Sequence, residues 1–532
     1  MNPNFNLGVL FSLINIGCEV KRIGMRTLFT PQPSKKRWAK YLKTALLTGL
    51  LLALSPLVPM RAQAIQLDSY CHIPQTEASR KEDLRKAVFE GNEQARSEYD
   101  AFISAQARAL ADCRQSQWPQ EQAVWLRLYP CDLQPGILEA VLDRIANLGY
   151  NQVYVEAFYS GQVLLPYSDN PTVWPSVVQA NGYENRDLLA EVIEKGKARG
   201  LETYAWVFTL NFGYSYAQQD DDRLDALARN GKGQDSVTFA LTGATSNAEE
   251  VFVDPYSLQA QQDFQIVLTE IAKRQPAGIL FDYIRYPRGV GSHSVASKVE
   301  DLWIYGNASR NALLQRALNY KGLELIRRYI SRGYLVDSDL NDVDQLYPNE
   351  PEPLWQSRVP LDSTEEIPAS VLRPVLQNEL WRLSVAHAVQ GVVDFLVRVG
   401  QLSQQQGMRT GTVFFPGGNR AVGGGYDSRL QYWDRFPTWM SWHPMAYGVC
   451  GHTGCILDEI RSVMRVAGPQ GGQFVKPALA GTWGQSTRDR PALEMQMQAI
   501  QRAIPEINSV SHFAYSWQDP EFDRSRKFCQ LQ

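Results

Sequence analysis

Histidine is scarce in this chain, six residues in 532, and none stands in a His-x-His pair. That disfavours metal-dependent amidohydrolase chemistry, which draws on such pairs. No Cys-x-x-Cys occurs, and the cysteines are not set with histidine at zinc spacing, so no metal site and no cofactor motif is read. A glycine-rich phosphate turn after the first apolar strand is also missing. Leu128-Tyr129-Pro130-Cys131 stands there instead, which counts against a doubly wound dinucleotide-binding sheet. After residue 64 no uninterrupted apolar run reaches the roughly 20 residues that span a bilayer. Charge of one sign is not in excess overall, the formal net being −3. It is unevenly placed, however. Residues 1–64 hold nine Lys/Arg and one acid, leaving 44 bases against 55 acids beyond them. An acidic body is a poor partner for nucleic acid.

What is present is ordinary globular composition, 44% hydrophobic and 20% charged, which excludes a disordered or multi-span membrane chain. The basic stretch Ser34 to Lys43 runs into the apolar Thr44 to Val58, then Ala62-Gln63-Ala64. That is the three-part form of a secretory signal peptide, with cleavage after Ala64 and a secreted or periplasmic product. An uncleaved anchor is the alternative. Met25 offers a start closer to this signal. After cleavage no membrane association is expected.

Export would place the remaining cysteines, Cys71, Cys113, Cys131, Cys450, Cys455 and Cys529, where disulfides form. Cys450 and Cys455 suit a local clasp. Cys71 and Cys113 flank a helical segment and could pair only if it folds back, with Gly91-Asn92 as the breaker. Free buried thiols remain the alternative.

From residue 121 short β-rich runs alternate with amphipathic helices. Strands are predicted at 123–129, 152–158, 202–210, 278–286, 409–415, 439–447, 476–483 and 509–517. The helix at 135–148 carries Leu138, Val141, Leu142 and Ile145 on one face, and similar stripes follow the other strands. Eight such units predict a (β/α)8 TIM barrel over 121–532, interrupted at 290–406 by an insertion with helices near 307–332 and 371–404. Residues 1–64 form a leader and 65–120 an N-terminal helical hairpin. Asp337 to Glu366, rich in acids and prolines, reads as a solvated lid or linker, because Asp342 and Pro348 break an EF-hand pattern.

Chemistry in such barrels gathers at the C-terminal strand ends. Those ends offer Glu156, Asn211, Tyr214, Asp282, Trp442, His443, Tyr447, Trp483, Tyr515 and Trp517, with Trp206 within the third strand and Arg285 on the fourth. Rings with a few carboxylates and amides suit sugars, whose C–H faces stack while hydroxyls bond polar groups. No lysine stands at a strand end, which disfavours Schiff-base chemistry.

Leu148 to Glu156 (LGYNQVYVE), Ala198 to Trp206 (ARGLETYAW), Val253-Asp254-Pro255 and Gly278 to Pro287 (GILFDYIRYP) follow one another on these strands. In this order they resemble the glycosyl-hydrolase-like family 10, a barrel group related to glycoside hydrolases, over about 122–290 and 408–518. The family's usual second Asp is Tyr283 here, so the resemblance carries over Asp282 alone. It implies a barrel fold and a polysaccharide or oligosaccharide substrate.

Glycoside hydrolysis commonly uses two carboxyls flanking the bond. Asp282 is the candidate nucleophile or transition-state stabiliser, unless it pairs with Arg285. Glu156 is the candidate general acid/base, unless it pairs with a barrel arginine such as Arg127. Asp254 reads as a helix N-cap before Pro255. The expected protein is an exported glycoside hydrolase acting on an envelope or extracellular polysaccharide. Its rivals are a non-catalytic glycan-binding barrel and an envelope protein whose insertion docks a partner.

Overall fold

The computed structural model describes residues 69–245, 247–361 and 367–531. The leader, including Ala62-Gln63-Ala64, lies outside the described residues. Eight parallel strands close on themselves: β1 (Glu121–Leu126), β2 (Gln152–Tyr159), β3 (Glu202–Phe208), β4 (Gly278–Asp282), β5 (Arg409–Phe414), β6 (Ser441–Ala446), β7 (Ala478–Ala480) and β8 (Ser509–Phe513). β1 pairs with both β2 and β8, and that double pairing makes the sheet a barrel. The fold is a (β/α)8 TIM barrel.

Period-two alternation sorts each strand's side chains. Val124, Leu126, Val153, Val155, Ala205, Val207, Ile279 and Phe281 point outward into the layer beneath the helices. Ala123, Trp125, Tyr154, Tyr204, Trp206, Phe208, Leu280 and Val413 fill the barrel itself. The interior is therefore packed with aromatic rings, and Trp125 stands edge-on to both Tyr154 and Trp206, at 4.9 and 4.8 Å between centroids.

Helices after the strands follow the sequence stripes. α3 (Ile137–Asn147) buries Leu138, Val141, Leu142 and Ile145. The chain leaves it through Gly149 at φ +76°, where any Cβ would also overlap the carbonyl of Cys71. Before the barrel, α1 (Gln75–Phe89) and α2 (Glu93–Ser116) form a hairpin. It turns at Gly91, with Asn92 capping α2 by accepting from Ala95 N, and a Cys71–Cys113 disulfide closes its open end. Buried Asp143 on α3 ties the hairpin down, accepting from Tyr99 Oη (2.7 Å) and from Arg199 Nε (2.8 Å). The other disulfides join Cys131 to Cys529 and Cys450 to Cys455.

The outer layer continues with α4 (Leu188–Ala198) and α5 (Leu258–Lys273). Between β4 and β5 the insertion forms α6 (Asn307–Leu314), α7 (Tyr320–Arg332), α8 (Asp337–Leu346) and α9 (Ala369–Gln405). Two expectations change here. Asp337 to Leu346 is helix rather than linker, because Val343 and Leu340 are buried and Asp339 is held by Arg328 and Arg332. α9 is long and apolar enough to cross a bilayer, yet 61% of its apolar window is buried within the protein. The insertion seats on the barrel through His387 of α9, which stacks on Tyr256 at 4.4 Å and accepts from Arg316 Nε at 2.8 Å. Burial, helped by Arg316, pushes the imidazole down to about 3, so it is neutral. The C-terminal units add α10 (Gly454–Ala467), α11 (Leu493–Ala503) and α12 (Pro520–Lys527).

A candidate active site at the barrel mouth

Asp282 ends β4 and turns inward at the C-terminal mouth, 7% exposed. Its carboxylate oxygens accept from the Trp206 indole N–H (3.1 Å) and the Tyr283 backbone N–H (2.6 Å). Holding that second bond, Tyr283 takes a left-handed φ of +53°. Among the described residues no base forms an ion pair with Asp282. Arg285 turns instead to Glu250, 3.8 Å away, and lies over the Tyr283 ring. Burial therefore dominates and pushes the carboxyl up to about 6, with Tyr283, Arg285 and Trp206 opposing and Glu156 adding to the rise.

Glu156 is placed differently. It sits on β2 in register with Trp206, while Phe208 is in register with Asp282. The two acids are thus two strands apart, roughly 10 Å laterally at about 4.8 Å per strand, and staggered by two residues (roughly 7 Å) along the strands, with Trp206 between them. Glu156 is only 1% exposed and receives a two-pronged bond from Arg127, one prong of which is 3.0 Å long. The Arg127 side chain is 41% exposed, and its guanidinium also lies over Tyr159. Burial raises the Glu156 carboxyl, and Arg127 offsets part of that.

A cavity of about 280 Å³ opens above Glu156 and Arg127, bordered also by Trp125, Trp206, Phe513, Asp523 and Lys527; Asp282 stands behind Trp206 and is not part of its lining. Tyr447 closes a nearby wall, 5.6 Å from Phe513, its hydroxyl pushed up by burial and by the charge of Asp282. Trp517 lies beyond Phe513 under the Arg488 guanidinium.

The other candidates lie elsewhere. Trp442 faces outward among Phe414, Trp433 and Phe474, since its strand position is odd relative to the inward His443. Trp483 belongs to the outer layer and donates to Tyr150 Oη. His443 is inside the barrel but below the mouth, bonded to Ser441 Oγ at 2.8 Å; burial and then Lys476 hold it well below the usual imidazole range. Asn211 accepts from the backbone N–H of Gly213 and Val251, a loop-ordering task. Tyr515 is buried under Arg526, and Tyr214 is about half exposed on a turn after β3. Asp254 is not the cap of α5. Ser257 is, and Asp254 instead accepts from Tyr256 N and Ser309 N, tying the insertion to the β3–α5 connection.

Besides Asp523 in the cavity wall, two carboxylates that the strand ends did not announce also stand near the mouth. Glu250 accepts from Tyr283 Oη, and Glu459 on α10 accepts from Gly448 N. Both come from positions off the strands, where alternation gives no signal. Trp125 and Phe513 are inward strand residues that the period of two could have supplied.

No curated protein matches the chain. Among solved structures it is similar to the PgaB (BpsB) glycoside hydrolase domain from Bordetella bronchiseptica, at 14% identity and TM-score 0.44, covering 77% of this chain and 99% of that one. It is also similar to the catalytic domain of a β-amylase from Paenibacillus polymyxa, at 9% identity and TM-score 0.44, covering 74% and 92%. A GH20 exo-β-N-acetylglucosaminidase from Vibrio harveyi aligns at 10% identity and TM-score 0.37, covering 77% and 53%. Residues 110–308, which hold β1 to β4 with Glu156 and Asp282, match the glycosyl hydrolase-like 10 family, and that match supports a glycosidase-like function.

Proposed function

We propose that this chain is an exported glycoside hydrolase that cleaves an envelope or extracellular polysaccharide, with Asp282 as its working carboxyl. The observation that carries the reading is Asp282 itself: an acid at the mouth of an aromatic-lined barrel, held by neutral donors and pushed up to about 6. This gives Asp282 the proton-donor role in place of the nucleophile or stabiliser role expected from the sequence: cleavage needs a proton for the departing sugar oxygen, and a carboxyl titrating near neutrality is suited to give one. Glu156 can act as a second carboxyl only by parting from Arg127. The part-exposed Arg127 side chain lines the cavity, so a substrate oxygen that draws its guanidinium away would free Glu156. Export is supported by the basic stretch, apolar run and Ala62-Gln63-Ala64 of the leader.

One observation favours a second reading, a barrel that binds glycan without cutting it: the Glu156 carboxylate is already satisfied by Arg127. Release of reducing ends from extracted envelope polysaccharides separates the two. A hydrolase loses at least roughly 100-fold of its rate in Asp282→Asn, and its rate falls as pH rises through about 6. A wild-type chain that binds these polymers and releases no sugar would establish the binding barrel instead.

A further inference from the structure

The insertion carries a groove of about 560 Å³, separate from the mouth cavity, walled by Tyr334, Trp381, Gln377, Asn378 and the segment 297–300. We propose that this groove is a distal binding site for an uncharged stretch of polysaccharide whose other end enters the barrel mouth. The inference rests on the reading above that the barrel acts on a glycan.

Topology places the groove on the same face as the mouth. The wall 297–300 directly continues Val295–Ala296, a strand that pairs with Gly425–Asp427 in the loop after β5. Both segments leave C-terminal ends of barrel strands. Trp381 of α9 stacks on Tyr426 of that same rim strand, 6.1 Å between centroids, so the insertion and the rim share one aromatic seam.

The chemistry left open in the groove is that of sugar recognition. Tyr334 is 50% exposed, with the Arg332 guanidinium over its ring. Trp381 is part-exposed, and Asn378 is exposed, its amide making no hydrogen bond to the described residues. Arg332 is held by Asp339, and the exposed Lys298 stands 3.7 Å from Glu300, so the charges here are mixed in sign and present no one-sign surface for an ionic ligand. Aromatic faces and a free amide instead match the C–H faces and hydroxyls of neutral sugars. A mouth cavity of about 280 Å³ is small for a polymer, which then needs contacts beyond it.

The test uses the full chain carrying Asp282→Asn, so that no polymer is consumed, in affinity electrophoresis through gels holding barley β-glucan, xylan, hydroxyethyl cellulose or alginate. At least one neutral polymer should retard it, and Tyr334→Ala and Asn378→Ala should each weaken that retardation roughly 3- to 10-fold. Both side chains are solvent-facing, and thermal unfolding checks that the fold is kept. In the active chain the same two changes should raise KM for the retarding polymer and leave kcat unaltered. No retardation by any of the neutral polymers, or retardation that both variants leave within twofold, overturns the proposal. Alginate binding as strongly as the neutral polymers overturns its uncharged chemistry. If the variants lose retardation while the wild-type chain cleaves none of the polymers, the groove stands and the hydrolase reading falls.

Discussion

Glu156 and Asp282 are both acids buried at the inward ends of barrel strands, one strand lying between them, yet they have been given opposite surroundings. Glu156 meets a guanidinium that takes both its oxygens. Asp282 meets an indole N–H and a backbone N–H, neither of which brings charge. A buried acid with a cation at its side is fixed in place and part of the cost of its charge is offset, so that Glu156, though still raised by burial, is held as half of an ion pair. One with neutral donors alone keeps an uncompensated cost of ionisation, which appears as affinity for a proton. Burial is shared by the two sites; the neighbour decides which carboxyl is available for chemistry.

The sharpest way to break this comparison is through activity. Asp282→Asn should cost roughly 10²- to 10⁴-fold in turnover, whereas Glu156→Gln should cost far less if it serves mainly to hold Arg127. Equal losses in both, measured as reducing ends released, would show that the pair works as one unit. Stability should run the other way. A folded carboxyl near 6 against about 3.9 when unfolded binds its proton more tightly in the native state. The native state therefore bears no penalty below about pH 4, one that grows between about pH 4 and 6, and a plateau of about 3 kcal/mol above that. Asp282→Asn removes it, so denaturant melts should find the variant more stable at pH 8 by up to that amount and indistinguishable at pH 4. Asp254 is likewise pushed up to about 6, so only the difference between variant and wild type isolates Asp282.

Arg127→Ala tests the other member. It leaves Glu156 buried without its cation, which for a wholly enclosed pair costs about 3–5 kcal/mol. Because the Arg127 side chain is 41% exposed, a loss nearer 2 kcal/mol is expected. A change below about 0.5 kcal/mol in chemical denaturation would mean that the pair is not what fixes Glu156.

Much of this was legible beforehand. The eight strands and their helices stood out because apolar periods of two and near four are local properties of the chain. The strand ends came out shorter than the apolar runs, as at Gly278–Asp282, because Tyr283 leaves the sheet at positive φ while the sequence stays apolar. For the site, alternation brought Asp282 and Glu156 to the mouth but could not say which way Arg127 would turn. Its choice is made by the β1–β2 register, a long-range pairing. Trp442 and Trp483 show the same limit, since one residue of register decides between the mouth and the outer layer. Glu250 and Glu459 were hidden for a simpler reason, being supplied by segments outside the strands.

The smallest expected effect concerns the indole that sits between the two acids. Trp206 donates to Asp282, and that bond favours the ionised carboxyl over the neutral one. Trp206→Phe keeps a ring against Trp125 but removes the donor, so the acid should bind its proton more tightly still. A charge-assisted bond at 3.1 Å, partly replaced by water or by Tyr283, is worth on the order of 1 kcal/mol here. The stability difference between chains with Asp282 and with Asp282→Asn, compared with Trp206→Phe present in both, should then have its midpoint raised by roughly 0.3 to 0.5 pH unit, half the shift of the folded carboxyl, since the unfolded value does not move. The smaller ring also leaves a gap, which lowers stability at every pH alike and does not move that midpoint. An unmoved midpoint would assign the tuning of Asp282 to burial and the Tyr283 N–H alone, and Trp206 would then be packing that happens to face an acid.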